Sequence, residues 1–366
     1  MHGARTGKTG FPYRGMSSFS AMSALAIIAV LASACPSLLT AQAGMAPMAG
    51  MDTTSAHRRK ANMRDMMGAP LPFGIMIGQA NQWMIGYQYM FEKLDGLLDG
   101  TSAISQTDVL RRFDTTPTDM TMRTHMGMIM YSPTDRSALM AMLPYVEMSM
   151  GEFHRDGTRS TERSNGIGDL EFRGLYSLYS AKDYRHRVLA HFGVGFPTGS
   201  VNQLDAEGKR TEYPMQTGSG TYSLLPGVIY LGQTLPWSWG GELNSALRLG
   251  SNEHGYRLGN RYEPKIWIAR ELTGSVSLSA GATGESWENI HGSDSLLDPA
   301  DEPTKDPALQ GGKRVNGTVG VTFHMSNGFF KGQQFLVQGD VPFAQSLHGP
   351  QLKRSYMLNL AWQWGF

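Results

Sequence analysis

The sequence predicts an all-β chain: a transmembrane antiparallel β-barrel of 12 strands, preceded by an N-terminal signal peptide and a short periplasmic tail. Three observations carry that expectation. Apolar and aromatic residues alternate with polar ones in a dozen short segments, the period of a strand whose two faces meet different surroundings. The connections between those segments alternate between short and long. After the leader, no apolar run approaches the roughly 18 residues that a spanning helix requires.

The first element is a leader. Arg5, Lys8 and Arg14 precede an apolar run from Ala24 to Ala34, and Ala41-Gln42-Ala43 supplies a small-x-small cleavage site before Gly44. Residues 1–43 therefore read as a secretory signal peptide, with Met16 as an alternative start. Ala32-Ser33-Ala34-Cys35 offers a rival lipoprotein site, disfavoured because Leu usually fills its first position and Pro36 follows the cysteine. Cys35 is the only cysteine, so cleavage after Ala43 leaves no thiol and no disulfide. Residues 44–80 are rich in Met, Ala, Gly and Pro, carry a basic patch at Arg58-Arg59-Lys60 and show no alternation. They read as a Met-rich periplasmic tail, or as a plug segment folding back into the barrel mouth.

Residues 81–366 hold the strands. The segments run Trp83 to Phe91, Thr121 to Tyr131, Ser137 to Met150, Gly168 to Ser180, Arg187 to Phe196 and Thr221 to Leu231. They continue as Trp239 to Gly250, Gly259 to Arg270, Gly274 to Glu288, Arg314 to Met325, Gln333 to Phe343 and Ser355 to Phe366. Short connections such as Ser132 to Arg136 and Ala181 to His186 alternate with long ones such as Glu92 to Met120, Pro197 to Gly220, His291 to Lys313 and Ala344 to Arg354. Bacterial barrels sort their loops in this way, with tight periplasmic turns and long extracellular loops. An even strand number places both ends of the barrel in the periplasm.

Charged residues assign the faces, because Arg or Lys against hydrocarbon costs roughly 2–4 kcal/mol near the midplane. Arg123 and His125, then Asp169, Glu171 and Arg173, then Glu242, Asn244 and Arg248, and finally Glu263 and Lys265 are expected to line the lumen. By the same parity Met122, Met126, Met128, Met130, Met140, Met142, Met148 and Met150 are expected to face lipid as flexible apolar filler. The polar lumen suits either an internal ion-pair network or a substrate path. A 12-stranded barrel is narrower than a porin of about 16–18 strands, so transport would be selective and small-molecule.

Composition removes some classes and opens others. A net charge of +1 argues against a nucleic-acid partner. Methionine is abundant, with 24 in the chain, and Met45, Met48 and Met51 form an M-x-x-M-x-x-M run. Thioethers suit Cu(I) or Ag(I), so a soft-metal-associated barrel with a plugged lumen is the alternative to a channel. No residue is assigned as a metal ligand, and no cofactor is implied. His324-Met325-Ser326-Asn327-Gly328 is similar to the catalytic motif of outer-membrane phospholipase A, which implies His324 as general base and Ser326 as nucleophile. Against this, loop parity puts the segment at a periplasmic turn, Ser-Asn-Gly is ordinary turn chemistry, and the next strand offers no orienting Asn. The expectation is therefore no enzyme.

The last strand alternates Tyr356, Leu358, Leu360, Trp362, Trp364 and Phe366 against Met357, Asn359, Ala361, Gln363 and Gly365. This resembles the closing strand of outer-membrane barrels, where the terminal aromatic is the signal read by the barrel-assembly machinery. Gly166-Ile167-Gly168-Asp169-Leu170, Gly195-Phe196-Pro197-Thr198-Gly199 and Gly349-Pro350-Gln351-Leu352 resemble the family of barrels named Putative MetA-pathway of phenol degradation, often labelled transporters. The resemblance covers most of the mature chain. It implies movement of small organic molecules, aromatic ones among them, across the bacterial outer membrane. The partners it implies are outer-membrane lipids and a small-molecule substrate, and it carries over no catalytic residue.

Overall fold

The computed structural model describes residues 77–182, 185–325 and 328–366. Residues 1–43, expected as a signal peptide, and the Met-rich segment as far as residue 76 lie outside the described residues. Among the described residues fourteen strands form one sheet: β1 (Gln82–Gly100), β2 (Ser102–Ile104), β3 (Thr115–Thr134), β4 (Ser137–His154), β5 (Arg159–Ile167), β6 (Leu170–Ser180) and β7 (His186–Phe196). They continue as β8 (Ser223–Leu224), β9 (Gly227–Thr234), β10 (Trp237–Arg248), β11 (Arg261–Thr273), β12 (Val276–Trp287), β13 (Gly312–His324) and β14 (Gln333–Gly365). Each of β1, β3, β4, β6, β7 and β9–β14 pairs antiparallel with its neighbours, and β14 returns to β1. Eleven strands thus close a ring, with β2, β5 and β8 outside it. Closure leaves no free edge of N–H and C=O groups, which hydrocarbon would not tolerate. At the seam Trp83 and Phe366 exchange backbone hydrogen bonds of 3.0 and 2.9 Å.

β14 is 33 residues long. Its first part pairs with β13 from Gln334 to Leu347, and its second with β1 as far as Gly365. Asn359 Nδ2 donates to Asp340 Oδ2 at 3.0 Å and Gln345 Nε2 to the Arg354 carbonyl at 2.9 Å, so the run doubles back on itself. Gly349 lies between the two parts with φ of +95°, a turn conformation that favours glycine.

The strands outrun their expected ends. β1 continues to Gly100 instead of stopping at Phe91, β4 reaches His154 and returns as β5, and residues 344–354 are extended strand where a loop was expected. Beyond the hydrocarbon band neither face needs to be apolar, so the hydrogen-bond ladder persists while the alternation fades. One rim carries the short connections 135–136, 181–185, 235–236, 274–275 and 325–332. The opposite rim carries 101–114, 155–158, 197–226, 249–260 and 288–311, together with the helical turn α1 (Gln106–Val109) capped by Ser105.

Outside, Ile129, Leu139, Phe172, Phe192, Ile266, Val319, Val341 and Leu358 are exposed, an apolar belt of the kind lipid requires. The rings of Trp83 and Tyr131 lie tilted 4.7 Å apart toward the short-turn rim, and those of Phe91 and Tyr356 6.0 Å apart toward the other. Aromatic side chains favour these interfacial margins.

Two expectations about faces are overturned. Met84, Met128, Met130, Met140 and Met142 are buried in one cluster with Leu175, Leu189, Ile229, Leu231 and Trp267, inside the ring. Met120, Met148 and Met150 form a second cluster, with Met122 packed against it. The strand methionines therefore face inward. Arg123 and His125 fall instead on the outer face with Ile129, where Arg123 Nη1 lies 3.8 Å from Glu147 and His125 Nδ1 is 2.6 Å from the Tyr87 hydroxyl. They stand opposite Phe91 and Tyr89, toward the margin, where a long side chain reaches the headgroups and the midplane penalty lapses. A shift of one residue exchanges the two faces of a strand, so a parity anchored on Arg123 inverted the whole methionine set.

Candidate functional site

The interior has two unlike halves. Over parts of β3, β4, β7, β9 and β11 it is apolar, where Met128, Met130, Met140, Met142, Leu189, Ile229 and Trp267 are each less than a tenth exposed, although β6, β7 and β11 also carry Arg173, His191 and Arg261. On β1 and β12–β14 it is polar. Gln88 Nε2 donates to Asn359 Oδ1 at 3.1 Å, Asn359 passes a bond to Asp340, and Gln338 Nε2 donates to the same carboxylate at 3.0 Å. Above this chain sits an ion cluster. Arg354 Nε is 2.6 Å from Glu92 Oε1, Arg261 Nη2 is 2.8 Å from Glu285 Oε2, and Arg314 Nη1 is 3.5 Å from Glu92. Arg354 also bonds Glu285, and Asn316 Nδ2 donates to Glu285 at 2.7 Å. Buried charges persist where each finds partners in this way.

The long-loop mouth is filled by the loops themselves. Tyr213 and Met215 of the 197–226 loop, Tyr256 of 249–260 and Leu297 of 288–311 are all buried. Met215 has no exposed surface and packs with Met120, Met148 and Met150 on the wall. Tyr213 and Tyr256 meet edge-to-face at 4.9 Å, and the Tyr213 hydroxyl accepts the Asp294 N–H at 3.0 Å. Burial pushes the Tyr256 phenol up to about 12. At the other rim Ile77 packs into the cluster of Met84 and Met130, and the Gly78 N–H donates to Ser132 Oγ at 2.9 Å.

The two motifs Gly166–Leu170 and Gly195–Gly199 meet at one node. Asp169 Oδ1 accepts the Gly199 N–H at 3.1 Å and Oδ2 the Ser219 N–H at 3.0 Å. Thr198 Oγ1 accepts the Leu170 N–H at 2.8 Å and donates to the Gly168 carbonyl at 2.9 Å. The third motif holds the neighbouring loop, through Gln351 Nε2 donating to the Gly311 carbonyl at 2.8 Å.

The remaining residues expected in the lumen alternate with exposed neighbours along their strands and do not converge. Glu171 and Arg173 pair at 2.8 Å beside buried Leu175, opposite exposed Phe172 and Tyr176. On β10, Glu242, Asn244 and Arg248 alternate with exposed Leu243. Asn244 Oδ1 is 2.8 Å from His191 Nε2, and Arg248 Nη1 donates to Ser223 Oγ at 2.8 Å while lying 3.8 Å from Asp169. Glu263 accepts from Arg261 Nε at 2.7 Å, and Lys265 shares a face with buried Trp267. Sequence reasoning missed Glu92, Arg261, Glu285, Arg314 and Arg354. The run Arg314, Asn316, Thr318, Thr322, His324 against Val315, Val319, Val321, Phe323 held the signal, since polar residues take every second place. Glu92 and Arg354 had been lost to supposed loops.

His324 is buried at the short-turn rim, its backbone N–H donating to the Ser275 carbonyl at 2.8 Å. Ser326 lies outside the described residues. Tyr356, Leu358, Leu360, Trp364 and Phe366 are exposed on the outer face of β14 and its end, opposite buried Asn359 and Ala361, and Trp362 Nε1 donates to Gln333 at 2.9 Å.

A closed antiparallel barrel with an apolar belt outside and a partly polar interior defines an outer-membrane β-barrel of Gram-negative bacteria. The model of the family described as "Putative MetA-pathway of phenol degradation" matches residues 119–329, and the chain belongs to that family. No curated protein sequence matches it. Among solved structures, the COG4313 outer membrane channel from Pseudomonas putida F1 superposes with a TM-score of 0.55 at 14% identity, over 81% of this chain and 100% of that one. The toluene transporters TbuX of Ralstonia pickettii and TodX of P. putida match with TM-scores of 0.37 and 0.38. Each is 10% identical, over 79% of this chain and 90% of its own. At these identities the likeness is one of fold.

Proposed function

We propose that the barrel is a transporter or channel for small hydrophobic molecules, aromatic ones included, and acts without catalysis. The observation that carries this reading is the methionine-lined half of the interior, from Met84 to Met142 and Trp267. Unbranched thioether side chains adapt to ligands of varied shape, and sulfur–aromatic contacts contribute roughly 0.3–1.5 kcal/mol each. The opposite half, with Asp340 and the Glu92–Arg354 pair, keeps the ring rigid. Asp169, Glu171, Arg173, Glu242, Asn244, Arg248, Glu263 and Lys265 border the path. Family membership supports the same reading, and the COG4313 relative is described as a channel.

Counting the doubled β14 as two gives a wall of 12 strands. The leader would export the chain, and the aromatic series ending in Phe366 would be read by the barrel-assembly machinery. The inward methionines also favour a second reading, passage of Cu(I) or Ag(I) by thioether ligands, with Met120, Met148, Met150 and Met215 as the cluster. Reconstitution in planar bilayers tests the lumen as a path. Discrete conductance steps, reduced by a small aromatic solute and unchanged by Ag(I), are expected. Block by Ag(I) alone would favour the metal reading, and no conductance with or without solute would contradict both.

A further inference from the structure

Three buried carboxylates converge at the loop-filled mouth from three separate segments. Glu152 comes from the end of β4, Glu212 from the 197–226 loop and Glu302 from the 288–311 loop, each 5% exposed or less. One oxygen from each lies within 4.8 Å of the others. Two oxygens about 2.4 Å from a common Ca²⁺ are at most about 4.8 Å apart, and every pair in this group meets that limit.

The second observation is that these groups lack partners. Both oxygens of Glu302, which is 0% exposed, have no hydrogen-bond partner, nor do Glu152 Oε1 and Glu212 Oε2. The facing groups are few. Ser160 Oγ donates to Glu152 Oε2 at 2.7 Å, and Thr304 adjoins Glu302. Lys305 Nζ is held by Asp301 at 2.6 Å, leaving Glu212 at 3.5 Å and Glu302 at 3.9 Å. Glu162 of β5 adds a fourth carboxyl, pushed up to about 10 by burial and then by Glu212 and Glu152. Burial likewise raises Glu302 well above the carboxylate range, with Glu212 and Glu152 adding to it. One ammonium does not balance these carboxyls in ionised form, so the group either holds protons or releases them to bind a cation.

We propose that Glu152, Glu212 and Glu302 form a site for one hard divalent cation of the calcium type. All its protein donors are carboxylate oxygens, the set that suits Ca²⁺ over softer ions. The ion would tie the 197–226 and 288–311 loops to β4 and hold the mouth closed. The inference is independent of the transported molecule, so its failure leaves the transport reading standing.

The test uses the full mature barrel, purified in detergent and stripped of divalent ions. Calorimetric titration with CaCl₂ at neutral pH is expected to give one ion per barrel, and Ca²⁺ to raise the unfolding temperature relative to EDTA. Glu302→Gln should weaken Ca²⁺ binding by roughly tenfold or more, because ligand charge sets affinity. Glu207→Gln, on the exposed part of the 197–226 loop that carries Glu212, should leave binding unchanged. If Glu302→Gln does not fold, terbium on the unaltered protein replaces it: Tyr213 beside Glu212 should sensitise its emission, and Ca²⁺ should quench it by displacement. No heat of binding and no Ca²⁺-dependent unfolding shift would overturn the site. So would equal affinity in Glu302→Gln, or terbium emission that Ca²⁺ does not displace.

Discussion

Asp169 holds Gly199 through a 3.1 Å hydrogen bond, and its second oxygen holds Ser219 at 3.0 Å. One carboxylate thus pins both ends of the loop that carries Met215 into the barrel. Asp169→Ala should leave two N–H donors without partners, each costing roughly 1–3 kcal/mol when buried. The expected outcome is faster protease cleavage within residues 200–216 on intact cells, with the strands still protected. Unchanged cleavage would show that the loop stands without the node.

The pair of Glu92 and Arg354 makes a prediction about stability. Arg354→Met should strip both Glu92 and Glu285 of their closest cation, and breaking a buried pair from one side costs roughly 3–5 kcal/mol. Urea unfolding in lipid vesicles should show that loss. Replacing the arginine with no change in midpoint would mean that Arg261 and Arg314 suffice.

Met215 is the part of the loop pressed deepest into the wall. Met215→Ala should open a cavity worth about 2–5 kcal/mol beside Met120 and Met150. The global unfolding midpoint should move little, because the loop lies outside the strand ladder, while the open-channel current in bilayers should rise and fluctuate more. A quiet, unchanged trace would place the constriction elsewhere.

The terminal aromatic is tested by removing it. Deleting Phe366 breaks its two backbone bonds to Trp83 at the seam and its ring contact with Trp364 at 4.9 Å. Less folded barrel should reach the outer membrane, with unchanged conductance per molecule. Equal amounts of folded protein would remove Phe366 as an assembly signal.

Much of the architecture was legible because hydrocarbon imposes a strict period. The strand expected from Arg314 to Met325 is β13, Gly312–His324, with Val315, Val319 and Phe323 exposed and Arg314, Asn316 and Thr318 buried. The inner face of β3 and β4 was not legible. Its methionines are as apolar as a lipid-facing set, so alternation between Met128 and Ile129 carries no sign. Only burial separates them: Met128 is 5% exposed and Ile129 46%. The acid cluster of Glu152, Glu212 and Glu302 was hidden for another reason, since its members lie up to 150 positions apart and meet only when the loops fold inward.

The central claim, passage of small hydrophobic molecules along the methionine-lined wall, is tested most directly by uptake. A strain lacking this barrel, complemented with the unaltered chain or with Met128→Asp, is supplied with a radiolabelled aromatic hydrocarbon, at matched amounts of folded barrel. The account predicts faster uptake with the unaltered chain than with an empty vector, and a fall toward the vector rate for Met128→Asp. Equal uptake in all three strains would contradict it.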